Sequence, residues 1–153
     1  MLNFVRARDV DYVPSTLADA EIYKTLPQGS WVLPTGVVSN EVVYGVPAAI
    51  DAVADIAAVR NARISFSEPN RGDTKEVNKI TSLRGVLSLV TDQFIAADEA
   101  AMGIGSELTL KVDTDGFVKL GLIVDATDHV SAIVDIAPSD QIDGQLQFHA
   151  TLY

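Results

Sequence analysis

The stretch Leu108-Thr109-Leu110-Lys111-Val112-Asp113-Thr114-Asp115-Gly116-Phe117-Val118-Lys119-Leu120 decides the fold. Leu108, Leu110 and Val112 alternate with Thr109 and Lys111, which is the period of a strand with one buried face. Asp113 to Gly116 then supply turn chemistry before a second apolar run begins at Phe117. Alternation interrupted by an Asp-Gly turn predicts a β-hairpin.

The same grammar continues on both sides. Toward the C-terminus, Val130 to Ile136 reads as a strand and Ala137 to Gly144 as a loop. In Gln145 to Tyr153, the residues Leu146, Phe148, Ala150 and Leu152 share one face, with Gln145, Gln147, His149, Thr151 and Tyr153 on the other. Toward the N-terminus, Gly85 opens Val86 to Thr91, followed by Phe94-Ile95. No proline lies between Pro69 and Pro138, so these ladders can occupy interior sheet positions.

The first half is less regular. Ala62, Ile64 and Phe66 alternate with Arg63, Ser65 and Ser67 and stop at Glu68 to Asp73, an expected exposed tip. Trp31-Val32-Leu33 ends at Pro34, with a turn at Thr35-Gly36, and Glu41 to Tyr44 ends at Gly45-Val46-Pro47. Trp31 reads as a core anchor. Residues 48–59 fit either a helix with Ala49, Ile50, Val53, Ile56 and Ala57 on one face or a strand pair turning near Ala54-Asp55. Residues 2–8 suggest a short strand. Residues 9–29 read as an extended arm, with a short helix near Thr16 to Ile22 as the alternative, because a structureless connection of that length is unusual in a compact domain. The arm, with Tyr12 and Tyr23, is an interface candidate, and residues 1–20 are expected to be removable without unfolding the rest.

The expected architecture is therefore a mainly β single domain over residues 1–153: a small antiparallel β-barrel or sandwich with an extended N-terminal arm and one or two short helices at most. Its 153 residues, 48% apolar and 21% charged, suffice for a full core. No run is long and apolar enough for a spanning helix. The N-terminus also lacks the plan of a signal peptide, so the expectation is a soluble protein not secreted by the usual route.

Charge is unevenly distributed. The net charge is −10, which repels polyanions and argues against nucleic acid and anionic membranes as partners. Residues 1–84 carry a net −1, whereas residues 85–153 carry eleven acids against only Lys111 and Lys119, a net −9. Within the first half, Arg60, Arg63, Arg71, Lys75, Lys79 and Arg84 face only Glu68, Asp73 and Glu76, a local net of +3. That segment reads either as a solvated loop or as a basic contact surface for an acidic neighbour, including the second half of another copy.

The chemical stock is thin. With no cysteine, thiolate nucleophiles, disulfides and thiolate-held zinc are excluded. General base chemistry would fall to His129 or His149, both read as surface or interface histidines. Asp113-Thr114-Asp115-Gly116 resembles the start of a calcium loop, but the twelfth position, where glutamate is required, is Val124. Asp98-Glu99 are adjacent, in a loop leading to a strand, and give no evidence of two carboxylates facing across a cleft. There is no phosphate-binding glycine loop and no His-Glu-x-x-His helix. Arg71-Gly72-Asp73 is too common a tripeptide to support an adhesion role. The reading is a non-enzymatic protein with no metal or other cofactor.

Five segments carry a resemblance. They are Thr91 to Phe94, Met102 to Leu110, Asp115 to Leu120, Val130 to Ala137, and Gly144 to Ala150. In this order they are similar to the decoration, or cement, proteins on the heads of tailed bacteriophages, over roughly residues 85–153. The resemblance implies a mainly β protein on the outside of an icosahedral capsid, bridging major capsid subunits, often as a homotrimer at threefold or quasi-threefold positions. It implies residence on the virion surface, and in the host cytoplasm during assembly, with no catalytic residues to carry over. Residues 48–59 and the arm depart from the pattern. The competing reading is a β-rich adhesion or carbohydrate-binding module, suggested by the tip at Asn70 to Asp73 and by Tyr44 and Tyr153.

Overall fold

In a computed structural model, which describes residues 1–67 and 79–153, nine strands pair into one sheet that closes on itself. The strands are β1 (Leu2–Leu17), β2 (Trp31–Val38), β3 (Glu41–Gly45), β4 (Arg63–Ser65), β5 (Lys79–Thr91), β6 (Glu107–Val112), β7 (Val118–Leu122), β8 (Ala132–Ile136) and β9 (Leu146–Leu152). Two short helices interrupt them, α1 (Ala20–Tyr23) and α2 (Ile56–Arg60), with 3-10 turns at Ala96–Ala101 and Pro138–Asp140. Eight strands close the barrel through the pairings β1–β5 and β2–β7, while β4 bridges β2 and β5. All pairings are antiparallel except β1–β3. The fold is thus mainly β as expected, and of the two architectures left open, barrel and sandwich, it is the barrel that forms.

The deciding hairpin is β6–β7, with Leu110 opposite Leu120. Its turn is closed by Asp113 N–H donating to the Phe117 carbonyl, and Gly116 takes the positive φ of 85° that the turn requires. In β9, Leu146, Phe148, Ala150 and Leu152 are buried. They join Trp31, Leu33, Ile64, Leu83, Leu87, Leu89, Leu108 and Leu120 in the main core. A second cluster gathers Leu17, Leu26, Val32, Tyr44 and Ile80. Both faces of the first three residues of β2 are therefore buried, Trp31 and Leu33 toward one cluster and Val32 toward the other. Trp31 is the anchor its sequence context suggested.

Several expectations are corrected. Residues 9–17 are not an arm: β1 runs unbroken to Leu17 and pairs with β5 from Leu2↔Thr91 to Thr16↔Lys79. Pro14 is tolerated because it makes no demand on that ladder for an N–H. α1 begins later than Thr16, with Asp19 Oδ1 accepting from Glu21 N–H at 2.9 Å. Gly85 lies inside β5 rather than opening it. It takes φ +122° where β1 bulges, Arg8 facing Val86 and Asp11 facing Arg84. β2 does not stop at Pro34. A register shift between Pro34 and Gly36 absorbs the missing donor, and the hairpin turns at Ser39-Asn40, both with positive φ (50° and 65°). Of residues 48–59, only Ile56 onward is helical, and Val53, placed on the buried face by a helical reading, is 71% exposed. The reason is Asp51, whose Oδ1 accepts from the N–H groups of Val53 and Ala54 and holds a turn there. Asp98-Glu99 lie in a 3-10 turn rather than an open loop.

Candidate functional surface

The basic segment does not form one patch. Arg60 closes α2, exposed, and its charge reaches His129. Arg84 is exposed on β5 opposite Asp11. Arg63 and Lys79 are brought together, lining one groove with Val13, Thr16, Glu41 and Tyr44. Arg71, Lys75 and the expected tip at 68–73 lie outside the described residues. Of the two tyrosines, Tyr23 ends α1, its side chain undescribed. Tyr12 sits on β1 with its ring 5.4 Å from Phe66 and 6.3 Å from Phe4. Its exposure is 57%, so one face remains available.

Arg63 is the residue the fold positions most deliberately. Nη1 donates to Ser15 Oγ at 2.9 Å, the Ser15 and Ser82 hydroxyls are 2.7 Å apart, and Ser82 Oγ donates to the Val13 carbonyl at 3.0 Å. Because Ser82 spends its proton on Val13, Ser15 must donate to Ser82 and accept from Arg63, giving a directed relay. The guanidinium also lies over the Tyr44 ring, 4.9 Å from its centroid. Arg63 Nε is buried with no hydrogen-bond partner. Tyr44 is itself buried, which removes it as the surface aromatic expected of a carbohydrate-binding module.

The two lysines of the acidic half are consumed internally. Lys119 donates to Asp113 at 2.7 Å and also binds Asp115, and Lys111 donates to Asp98 at 3.1 Å. The bond from Lys119 and the Thr114 N–H hold the Asp113 carboxyl below its ordinary value. Burial pushes Lys119 down, but its bonds to Asp113 and Asp115 outweigh this and leave it raised. The turn that resembles a calcium loop is thus tied to its own lysine. Among the described residues no group of acids and histidines is arranged to hold a metal ion.

Each histidine lines a shallow space. His129 lies beside a cleft of about 440 Å³ between residues 48–52 and β6. Burial, and then the charge of Arg60, lower its pKa, so it is neutral near pH 7. His149 Nδ1 lies 2.7 Å from Asp135 Oδ1, and Asp135 Oδ2 accepts from Ser88 Oγ at 3.1 Å. The carboxylate stands between the hydroxyl and the imidazole, so this trio cannot pass the serine proton to the histidine as a nucleophile–base pair would.

What the described surface offers instead is apolar area on projecting elements. Val37 and Val38 at the tip of the β2–β3 hairpin are 67% and 61% exposed, and Val42 on the returning strand is exposed as well. No helix among the described residues is long and apolar enough to cross a membrane. No family model, no curated protein and no solved structure matches the chain.

Proposed function

We propose that this protein is a structural component of a tailed-bacteriophage particle. It attaches to the outside of the capsid, where it bridges major capsid subunits as a homo-oligomer, the resemblance favouring a trimer. The supporting observation is the combination of a side-chain-filled barrel with exposed valines on a projecting hairpin. A packed interior resists deformation, and an apolar tip gains free energy only when another surface covers it. Attachment through many such tips on one particle multiplies a modest contact into a durable one. High acidity suits display in many copies, since like charge limits adhesion between particles. Its place is the virion surface, reached from the host cytoplasm during assembly, and it acts without cofactor, nucleic acid or membrane.

Co-sedimentation with assembled shells and with free capsid subunits of the encoding phage tests this. The expected result is binding to shells in preference to subunits, with a higher shell disruption temperature, both reduced by Val37→Asp combined with Val38→Asp. Equal or absent binding to shells overturns the proposal, and glycan-array binding in its place would support the adhesion reading.

A further inference from the structure

We propose that Arg63 and the apolar groove beside it form a carboxylate-binding seat for a second copy of this chain, occupied by that copy's acidic loop at residues 139–144. This deepens the self-association part of the function proposed above, and its test needs no capsid.

The seat is incomplete as the single chain presents it. Arg63 lines a groove of about 520 Å³ together with Pro34, Val42, Ala58 and Tyr153. It is held by Ser15 and by the Tyr44 ring, yet among the described residues no carboxylate pairs with it, and its Nε is buried without an acceptor. A guanidinium fixed by neutral neighbours keeps its charge, and with Nη1 given to Ser15 and Nε enclosed, Nη2 is the donor left for an incoming carboxylate. Desolvating a cation is costly unless such an acceptor arrives.

The complementary element is on the same molecule but cannot reach. In the loop Ser139-Asp140-Gln141-Ile142-Asp143-Gly144, Ile142 is fully exposed, the most exposed large apolar side chain described, and it stands between two exposed aspartates. Asp140 has no side-chain partner among the described residues. In the other acidic loop with an exposed apolar residue, around Val124, both Asp125 and Asp128 accept from that loop's own N–H groups, whereas in 139–144 only Asp143 does so, from Gln145 N–H at 3.4 Å. Loop and groove sit at opposite ends of β9. Leu146, just after the loop, faces Thr91, whereas Leu152 faces Gly85 and Tyr153 lines the groove. At about 3.4 Å per residue, the strand separates them by about 20 Å. Filling the groove therefore takes a second copy, whose 85–153 half carries a net −9 with both lysines already engaged. The contact joins two different surfaces, so its repetition gives a ring or a chain of copies rather than a twofold dimer.

Analytical ultracentrifugation of the full chain tests the seat. The wild type should self-associate. Arg63→Met or Val42→Asp in the groove, and Ile142→Ser in the loop, should each weaken self-affinity about tenfold or more. Val42 and Ile142 are exposed, so their variants remain informative if Arg63→Met does not fold. Mixing Val42→Asp, which keeps its loop, with Ile142→Ser, which keeps its groove, should yield a one-to-one heterodimer that grows no further. A wild type that stays a single chain up to its solubility limit, variants that associate as the wild type does, or a mixture that forms no heterodimer would each overturn the inference.

Discussion

Arg63 and Tyr44 are stacked, the guanidinium carbon 4.9 Å from the ring centroid, across β2 from the strands that flank it, β4 and β3. The pair sits beside the smaller core cluster, where a charged side chain would ordinarily be unwelcome. It is tolerated because the ring face and the Ser15–Ser82 relay replace part of the lost hydration.

Tyr44→Leu retains apolar filling but removes the ring beneath the charge. The expected loss is about 0.5–2 kcal/mol of stability, read by urea unfolding with the single Trp31 as fluorescent reporter. A midpoint equal to that of the wild type would show that the stacking contributes nothing.

Gly121 on β7 has no room for a side chain. A Cβ there would lie 2.7 Å from Lys111 Cδ and 2.8 Å from Asp98 Oδ2, the carboxylate that also accepts from Leu122 N–H. Gly121→Ala should force the Lys111–Asp98 pair apart and cost about 1–3 kcal/mol. Denaturant titration measures this, and Gly116→Ala, strained by its positive φ but facing open space, is the comparison for a purely backbone effect.

His129 makes stability depend on pH. Its pKa in the folded protein lies below the ordinary 6.5, through burial and then the charge of Arg60. As pH falls through 6.5, the unfolded chain takes up the proton first, so stability present above that value drains away toward the folded pKa. The melting temperature should therefore drop between pH 7.5 and 5.5, and drop less in His129→Gln. Parallel curves for the two proteins would exclude His129 as the source.

The Asp113–Lys119 turn acts in a lower window. Because the bond from Lys119 depresses Asp113 below 3.8, its contribution is complete above that value and is lost as pH falls through the folded pKa. Lys119→Met should flatten the acid limb of a stability–pH curve below about pH 4. An unchanged acid limb would mean that the carboxylate draws nothing from its lysine.

The β6–β7 hairpin, the buried face of β9 and the anchoring role of Trp31 were readable from residue order, because period-2 alternation and an Asp-Gly turn are local signals that tertiary contacts here reinforce. Charge asymmetry was equally plain, as it depends on composition alone. The course of residues 9–17 was not, since a strand whose partner lies some 70 residues away has no local signature, and Pro14 argued against one. Nor could order along the chain show that Arg63 parts company with Arg60 and Arg84, or that Tyr44 is covered. Those outcomes follow from β4 being drawn between β2 and β5, which places beside the smaller core cluster an arginine whose sequence neighbours suggest only a solvated charge. Barrel closure is a cooperative, long-range event, and it alone determines which of several similar basic residues ends up held by serines and a ring, with no carboxylate paired to it among the described residues.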